Sequence, residues 1–167
     1  RTDEGTFRNL FQFYQYELSR YTGWQVNIAG QFQEDGLDGC WTSPQRYPLL
    51  IKFDNHIAGL AVVDRRDRGH YEDQPYVAEM TAFFILAAYQ KRGIGIAAAA
   101  SIFDIFPGNW EVYQMQKHDL AKRFWRKVIK KYTGQQYREV ISEEYHGVIQ
   151  FFNNAGYAQP PQSPPVR

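Results

Sequence analysis

Apolar residues recur at positions 7, 10, 11, 14, 18 and 21, which is the spacing of a helix with one face turned to a core. Thr22-Gly23 then supplies a C-terminal stop. Residues 26–41 lose this rhythm. Glycines and aromatics alternate there with the acids Glu34, Asp35 and Asp38, which predicts loop and a short helix. Two β-rich runs, 49–53 and 57–63, flank Asp54-Asn55-His56 and read as a hairpin. Residues 65–74 are charged and predict an exposed, mobile connection. The next run, 76–86, is apolar almost throughout except for Glu79 and Thr81, as expected of a central strand. A helix over 94–106 follows, ended by Pro107-Gly108, and then a strand over 110–115. Residues 119–132 place Ala121, Phe124, Trp125, Val128 and Tyr132 on one helical stripe. Segments 137–145 and 148–152 close the pattern as a hairpin across His146-Gly147.

This order of helix, hairpin, long strand, helix, strand, helix and hairpin predicts an α/β fold of the α+β type. Its sheet is mixed and mostly antiparallel, with helices on both faces. Strand 76–86, the helix and strand 110–115 make one β-α-β unit, so those two strands should be parallel with a right-handed crossover. Residues 1–158 are expected to form a single domain. Residues 159–167, rich in proline, are expected to be a disordered or extended tail.

Composition narrows the chemistry. The chain has 167 residues, of which 44% are hydrophobic and 17% aromatic, with a net charge of +1. That describes a globular domain without the basic excess of a nucleic-acid binder. No apolar run is long enough for a membrane span, and a cytoplasmic location is the default expectation. The one cysteine, Cys40, forms no internal disulfide, and Cys/His metal spacing is absent. Cys40 has no base at a spacing that would make it a nucleophile. His56, His70 and His146 fall in expected turns or loops and carry no metal pattern.

The informative stretch is Gln90-Lys91-Arg92-Gly93-Ile94-Gly95, followed by Ile96 and the alanines Ala97 to Ala100. A strand ends there in a turn with two glycines that opens directly into a helix. The first amides of a helix have no intrahelical acceptor and carry the positive end of its dipole. Glycines let a phosphate approach the backbone, and Lys91 and Arg92 add charge at the rim. The alanine run also suits close helix–sheet packing. A dinucleotide fingerprint fails because Ala98 stands where its third glycine would be, and Gln116-Lys117 stands where an acid would end the next strand. A Walker loop fails for want of Gly-Lys-Ser/Thr.

In that context the chain resembles the GNAT acetyltransferase superfamily, whose signature is Gln or Arg, two residues, Gly, one residue, then Gly or Ala. The later Ala121-Lys122-Arg123-Phe124-Trp125 is similar to the family's Ala-x-x-Phe-Tyr segment. The resemblance covers roughly residues 49–152, with 7–21 as the family's variable first helix. It implies acetyl-CoA as co-substrate, with no metal, and a parallel strand pair splayed around it. Gln90, Lys91, Arg92, Gly93, Ile94, Gly95 and Ala97 would then lie at the pyrophosphate of coenzyme A. Phe84 and Ile85 fall on the strand end whose backbone such enzymes pair with the pantetheine arm. Trp125 occupies the place of the family's proton-donating tyrosine and is expected to pack against the cofactor arm or the core. His118 replaces a frequent asparagine. His118, Tyr113, Tyr132 or water remain as alternative proton donors.

Acetyl transfer to an amine requires the neutral amine, which for a lysine-like group of pKa about 10.4 is roughly one molecule in a thousand near pH 7. Glu79 lies where the histone-acetylating branch places its general base, and an acid in so apolar a strand needs either a partner or a use. A salt bridge to a neighbouring strand is the competing reading. The resemblance implies an acceptor site built by the first helix and the closing hairpin. Phe11, Tyr14, Phe32, Trp41, Tyr145, Phe151 and Phe152, with Glu34, Asp35 and Asp38, would suit a cationic amine there. The expected partner is a small-molecule or protein amine, not nucleic acid or membrane, with a homodimer possible. The competing classes are an acyl-CoA-binding or regulatory module with little catalysis, and an ATP- or NAD-binding protein.

Overall fold

A computed structural model describes residues 3–33, 35–67 and 76–156, with the Asp35 side chain outside it. His70, Glu34, the tail from 157 and most of the connection 65–74 therefore lie outside the described residues.

Helix α1 runs Glu4–Thr22, starting at the Asp3 cap and ending at Gly23 in the left-handed conformation. The strands are β1 (Arg46–Phe53), β2 (His56–Arg66) and β3 (Val77–Ile85). Helix α2 (Ile94–Ile105) leads to β4 (Asn109–Met115), and α3 (Asp119–Tyr132) to β5 (Arg138–Ser142) and β6 (Gly147–Asn153). They form one six-stranded sheet in the order β1-β2-β3-β4-β6-β5. Only β3 and β4 are parallel, as the β-α-β reading predicts.

Element types agree with the pattern of the chain, and the differences sit at the ends. Strand β1 begins three residues early and takes in Pro48, which an edge strand tolerates because its outer backbone needs no partner. Strand β2 runs on through Asp64, Arg65 and Arg66, charged residues that local propensity assigns to a loop. Pairing with Glu79, Ala78 and Val77 draws them into the sheet.

Period-two alternation splits the sheet into two cores. One face buries Ala58, Val63, Ala78, Met80, Trp110 and Val112 under α2 and α3. The other buries Leu60, Val62, Ala82 and Phe84 under Phe7 and Phe11 of α1. Thr81 interrupts the alternation. Val62 pairs with Ala82 and Val63 with Met80, so Thr81 is an extra residue, a bulge whose hydroxyl donates to the Val62 carbonyl at 3.2 Å.

Gly59 sets how closely β2 approaches the end of β3. It pairs with Ile85, and a Cβ there would lie 2.1 Å from the Phe84 carbonyl oxygen. Backbone must move to admit one. Gly59→Ala is therefore expected to destabilise the domain by about 1–3 kcal/mol. A denaturant melt with an unshifted midpoint would refute this.

Candidate functional site

Strands β3 and β4 are paired only at Val77–Asn109, Ala78–Trp110 and Glu79–Glu111. Beyond that point β3 continues with β2 to Ile85, while β4 continues with β6 to Met115. Two neighbouring strands thus part, and the β4-facing edge of β3 from Met80 onward is left without a ladder partner among the described residues. The bulge at Thr81 lies at the parting and adds the twist that separates them.

The wedge leads along β3 to the glycine turn. A short turn over Ala87–Tyr89 carries the chain out of the strand. The Gln90 side-chain amide donates back to the Ile85 carbonyl at 2.8 Å, tying the turn to the strand end. Lys91 adopts φ 57° and Gly93 φ 81°, so Gly93 caps α2 from the left-handed region without a side-chain bond. The first helical bond there is Ala97 N–H to the Gly93 carbonyl, at 3.1 Å. The amides of Ile94, Gly95 and Ile96 precede it, and the first turn contains no acid. Helix α1 is capped by Asp3 and α3 by His118, each with an acid in its first turn. The α2 terminus has neither a side-chain cap nor an acid in its first turn. Lys91 is exposed. Arg92 is held over the Phe53 and Tyr89 rings, with centroid distances of 5.3 and 5.8 Å. Gly95 packs tightly, since a Cβ there would lie 3.3 Å from Phe124 and 3.4 Å from Ile85.

Trp125 is 6% exposed and packs against Phe83, Phe103 and Phe124, with Phe83 and Phe124 at 5.1 and 5.0 Å. It is a core residue, and its neighbour Phe124 is the ring that meets Gly95. The other proton-donor candidates are structurally engaged. Tyr113 donates to the Tyr145 carbonyl at 2.7 Å and Tyr132 to Asp104 at 2.6 Å. His118 accepts the Ala121 N–H on Nδ1 at 3.3 Å and stacks on Tyr21 at 4.1 Å.

Glu79 lies between Ala78 and Met80, both in the α2/α3 core, so its side chain projects to the α1 face. In register across the sheet stand Arg46, Asp64, Glu79 and Glu111, one on each of four adjacent strands. Arg66 meets Glu79 at 2.9 Å and Asp64 at 4.0 Å, and Arg46 meets Asp64 at 3.3 Å. Burial pushes the Asp64 carboxyl up from its ordinary value, against the pull of both arginines. The salt bridge expected as the alternative role of Glu79 is thus present. It does not exclude a role as base.

On the same face, α1 and the segment after it enclose a cavity of about 400 Å³. Its rings are Phe11, Tyr14, Trp24 and Phe32, and its floor is Thr81 and Ala82 at the bulge. The far wall is pinned to α1. Gln12 exchanges hydrogen bonds with the Phe32 backbone at 2.8 and 3.3 Å, and the Gln15 side chain donates to the Gln33 carbonyl. Of the aromatics expected at an acceptor site, Phe11, Tyr14 and Phe32 are here. Trp41 instead packs on Phe7, Phe152 belongs to the opposite core, Phe151 lies under Arg138, and Tyr145 is exposed. The sequence carries no signal for Trp24 and Gln33, which lie in loop, or for Gln15, a polar residue in the middle of α1 that is buried there. No cluster of metal-ligating side chains and no helix able to cross a membrane occurs among the described residues.

Burial, reinforced by Arg20, pushes the His118 imidazole below its ordinary 6.5. Only the neutral ring can cap α3, because a protonated Nδ1 cannot accept the Ala121 N–H. With the folded value below the unfolded one, this stabilisation is complete above about pH 6.5 and is lost as pH falls through the lower folded value. His118→Asn should keep a cap that does not titrate and flatten the decline in melting temperature as pH falls below about 6.5. Parallel pH profiles for the two proteins would contradict this.

The model of the Acetyltransferase (GNAT) family matches residues 10–129, well over half of the chain. No curated protein matches the sequence significantly. Among solved structures, a GNAT-family protein from Bacteroides thetaiotaomicron superposes with a TM-score of 0.57 at 11% identity, over 92% of this chain and 86% of its own. The spermidine N-acetyltransferase SpeG chimera from Vibrio cholerae and hSSAT gives 0.54 at 8% identity, over 92% of each chain. An aminoglycoside acetyltransferase, meta-AAC0020, from an uncultured soil metagenomic sample gives 0.53 at 18% identity, over 75% of this chain and 80% of that one. At these identities the likeness is one of fold.

Proposed function

The chain belongs to the GNAT acetyltransferase family, and on that premise we propose that it is an N-acetyltransferase moving an acetyl group from acetyl-CoA to a primary amine of a small molecule or protein. The observation that carries this reading is the continuous track from the unpaired edge of β3 to the uncapped terminus of α2. Its two ends ask for different chemistry. The strand edge offers amide and carbonyl groups to an amide-containing arm, and the helix terminus offers three N–H groups and a dipole to a pyrophosphate. Coenzyme A contains both at such a separation. Phe84 and Ile85 would flank the arm, and Gln90 to Gly95 with Ala97 would surround the phosphates.

The acceptor enters from the α1 face, through the cavity floored by Thr81 and Ala82. Glu79 projects from the same face of β3 but does not line that cavity, so it takes the amine's proton through water. It is paired with Arg66 at 2.9 Å, which orients the carboxylate on this face. The amine nitrogen attacks the thioester carbonyl, the C–N bond forms, and the C–S bond breaks to release the thiolate. Water supplies the thiolate's proton in this scheme, because Tyr113, Tyr132, His118 and Trp125 are all committed to structural contacts. That same commitment favours the second reading, an acyl-CoA-binding module with little turnover. Thiol release on a panel of amines decides between them.

Glu79→Gln is expected to lower kcat at least a hundredfold while leaving the acetyl-CoA KM close to wild type. Undiminished turnover would remove Glu79 from the mechanism. Lys91→Glu places an anion beside the proposed pyrophosphate site on an exposed residue. Isothermal titration should show coenzyme A binding weakened by about three- to tenfold with an unaltered melting temperature, and equal affinity would argue that the phosphates bind elsewhere.

A further inference from the structure

We propose that Tyr14 holds the acceptor in place, its hydroxyl hydrogen-bonding the nitrogen that receives the acetyl group. This rests on the acetyl-transfer reading above and adds a residue that the family signature does not supply.

Tyr14 is fixed from two sides. Its ring packs on Phe11 at 5.2 Å along the helix and on Phe84 of β3 at 6.4 Å. It lines the cavity together with Thr81 and Ala82, the residues at which β3 leaves β4. The side chain therefore stands where two volumes meet, the cavity under α1 and the strand along which the acyl donor would lie. No donor or acceptor among the described residues meets its hydroxyl. Tyr113 and Tyr132, by contrast, each commit theirs to a protein oxygen. Tyr14 is half-buried, and a tyrosine hydroxyl without a protein partner at a cavity wall is free to meet a group that enters the cavity.

The chemistry suits an amine. Burial pushes the phenol up to about 12, so it stays neutral at any working pH. A neutral phenol can accept one N–H of an uncharged amine, which leaves the nitrogen lone pair free to face the thioester carbon. The phenol transfers no proton in this role; Glu79 and water account for the proton. A water molecule in the cavity could satisfy the same hydroxyl without any function, and the experiment has to tell the two apart.

Tyr14→Phe keeps both ring contacts and removes only the hydroxyl. The expected result is a roughly tenfold fall in kcat/KM for the acceptor, with the acetyl-CoA KM unchanged and a melting temperature equal to or above wild type. A packing role would not confine the loss to the acceptor while leaving both the acetyl-CoA KM and the melting temperature in place. Unchanged kcat/KM in Tyr14→Phe, a loss that tracks a lowered melting temperature, or an equal rise in the acetyl-CoA KM each overturns the proposal. If wild-type protein releases no thiol on any amine, the acetyl-transfer reading falls first and this role falls with it.

Discussion

The structure depends on two parallel strands being able to hydrogen-bond for only three residue pairs. Helix α2 has to leave the end of β3, cross the sheet and return at the start of β4, and the bulge at Thr81 bends β3 away as soon as the strands have met. The backbone of β3 beyond Glu79 then keeps its bonds to β2 on one side and has an open edge on the other. An open edge inside a sheet is costly unless something fills it. This one ends at a helix whose first amides are also left unsatisfied by any side chain. The two deficits are adjacent because both follow from one connection, and a single extended ligand with a phosphate at one end answers both.

The two faces of the sheet divide the remaining work. Under α2 and α3 the packing is dense and aromatic, with Phe103 in contact with Trp110, Trp125 and Phe152. Rigidity there holds the α2 terminus in line with β3, since Phe124 and Ile85 both press on Gly95. Under α1 the packing is interrupted by the cavity, and polar side chains of α1 act on the backbone of the following segment. A row of charge crosses this face from Arg46 to Glu111, with Arg66 bridging Asp64 and Glu79. Placing three carboxylates on adjacent strands is tolerable only because two guanidiniums lie among them. That arrangement sets a carboxylate paired with guanidiniums on the same face as the cavity.

Much of this was legible in the chain because the signals are local. Period-3.6 and period-2 patterns, the stops at Gly23 and Pro107, and the Asp54-Asn55 turn each act over a few residues, and element types and the parallel pair followed from them. The glycine turn was legible for the same reason, as its chemistry resides in backbone amides whose exposure depends on a six-residue stretch. What failed locally were strand ends such as 64–66, where cross-strand pairing overrides the propensity of charged residues. Position 125 shows another limit. Its place in the motif implied packing against the cofactor arm or the core, and only the tertiary structure shows the indole enclosed by Phe83, Phe103 and Phe124.

The sequence by itself determined the order of elements, the family signature and the glycine turn that opens α2, all of which are written in contiguous residues. Tertiary structure alone decided which residues share a face, because the bulge at Thr81 shifts the alternation and no pattern in the chain announces it. It also decided that Glu79 stands between Asp64 and Glu111 under Arg66, and that Tyr14, Trp24, Gln33 and Thr81 enclose one volume. Those groupings join residues tens of positions apart, and they are set by strand register and by how α1 packs across the sheet.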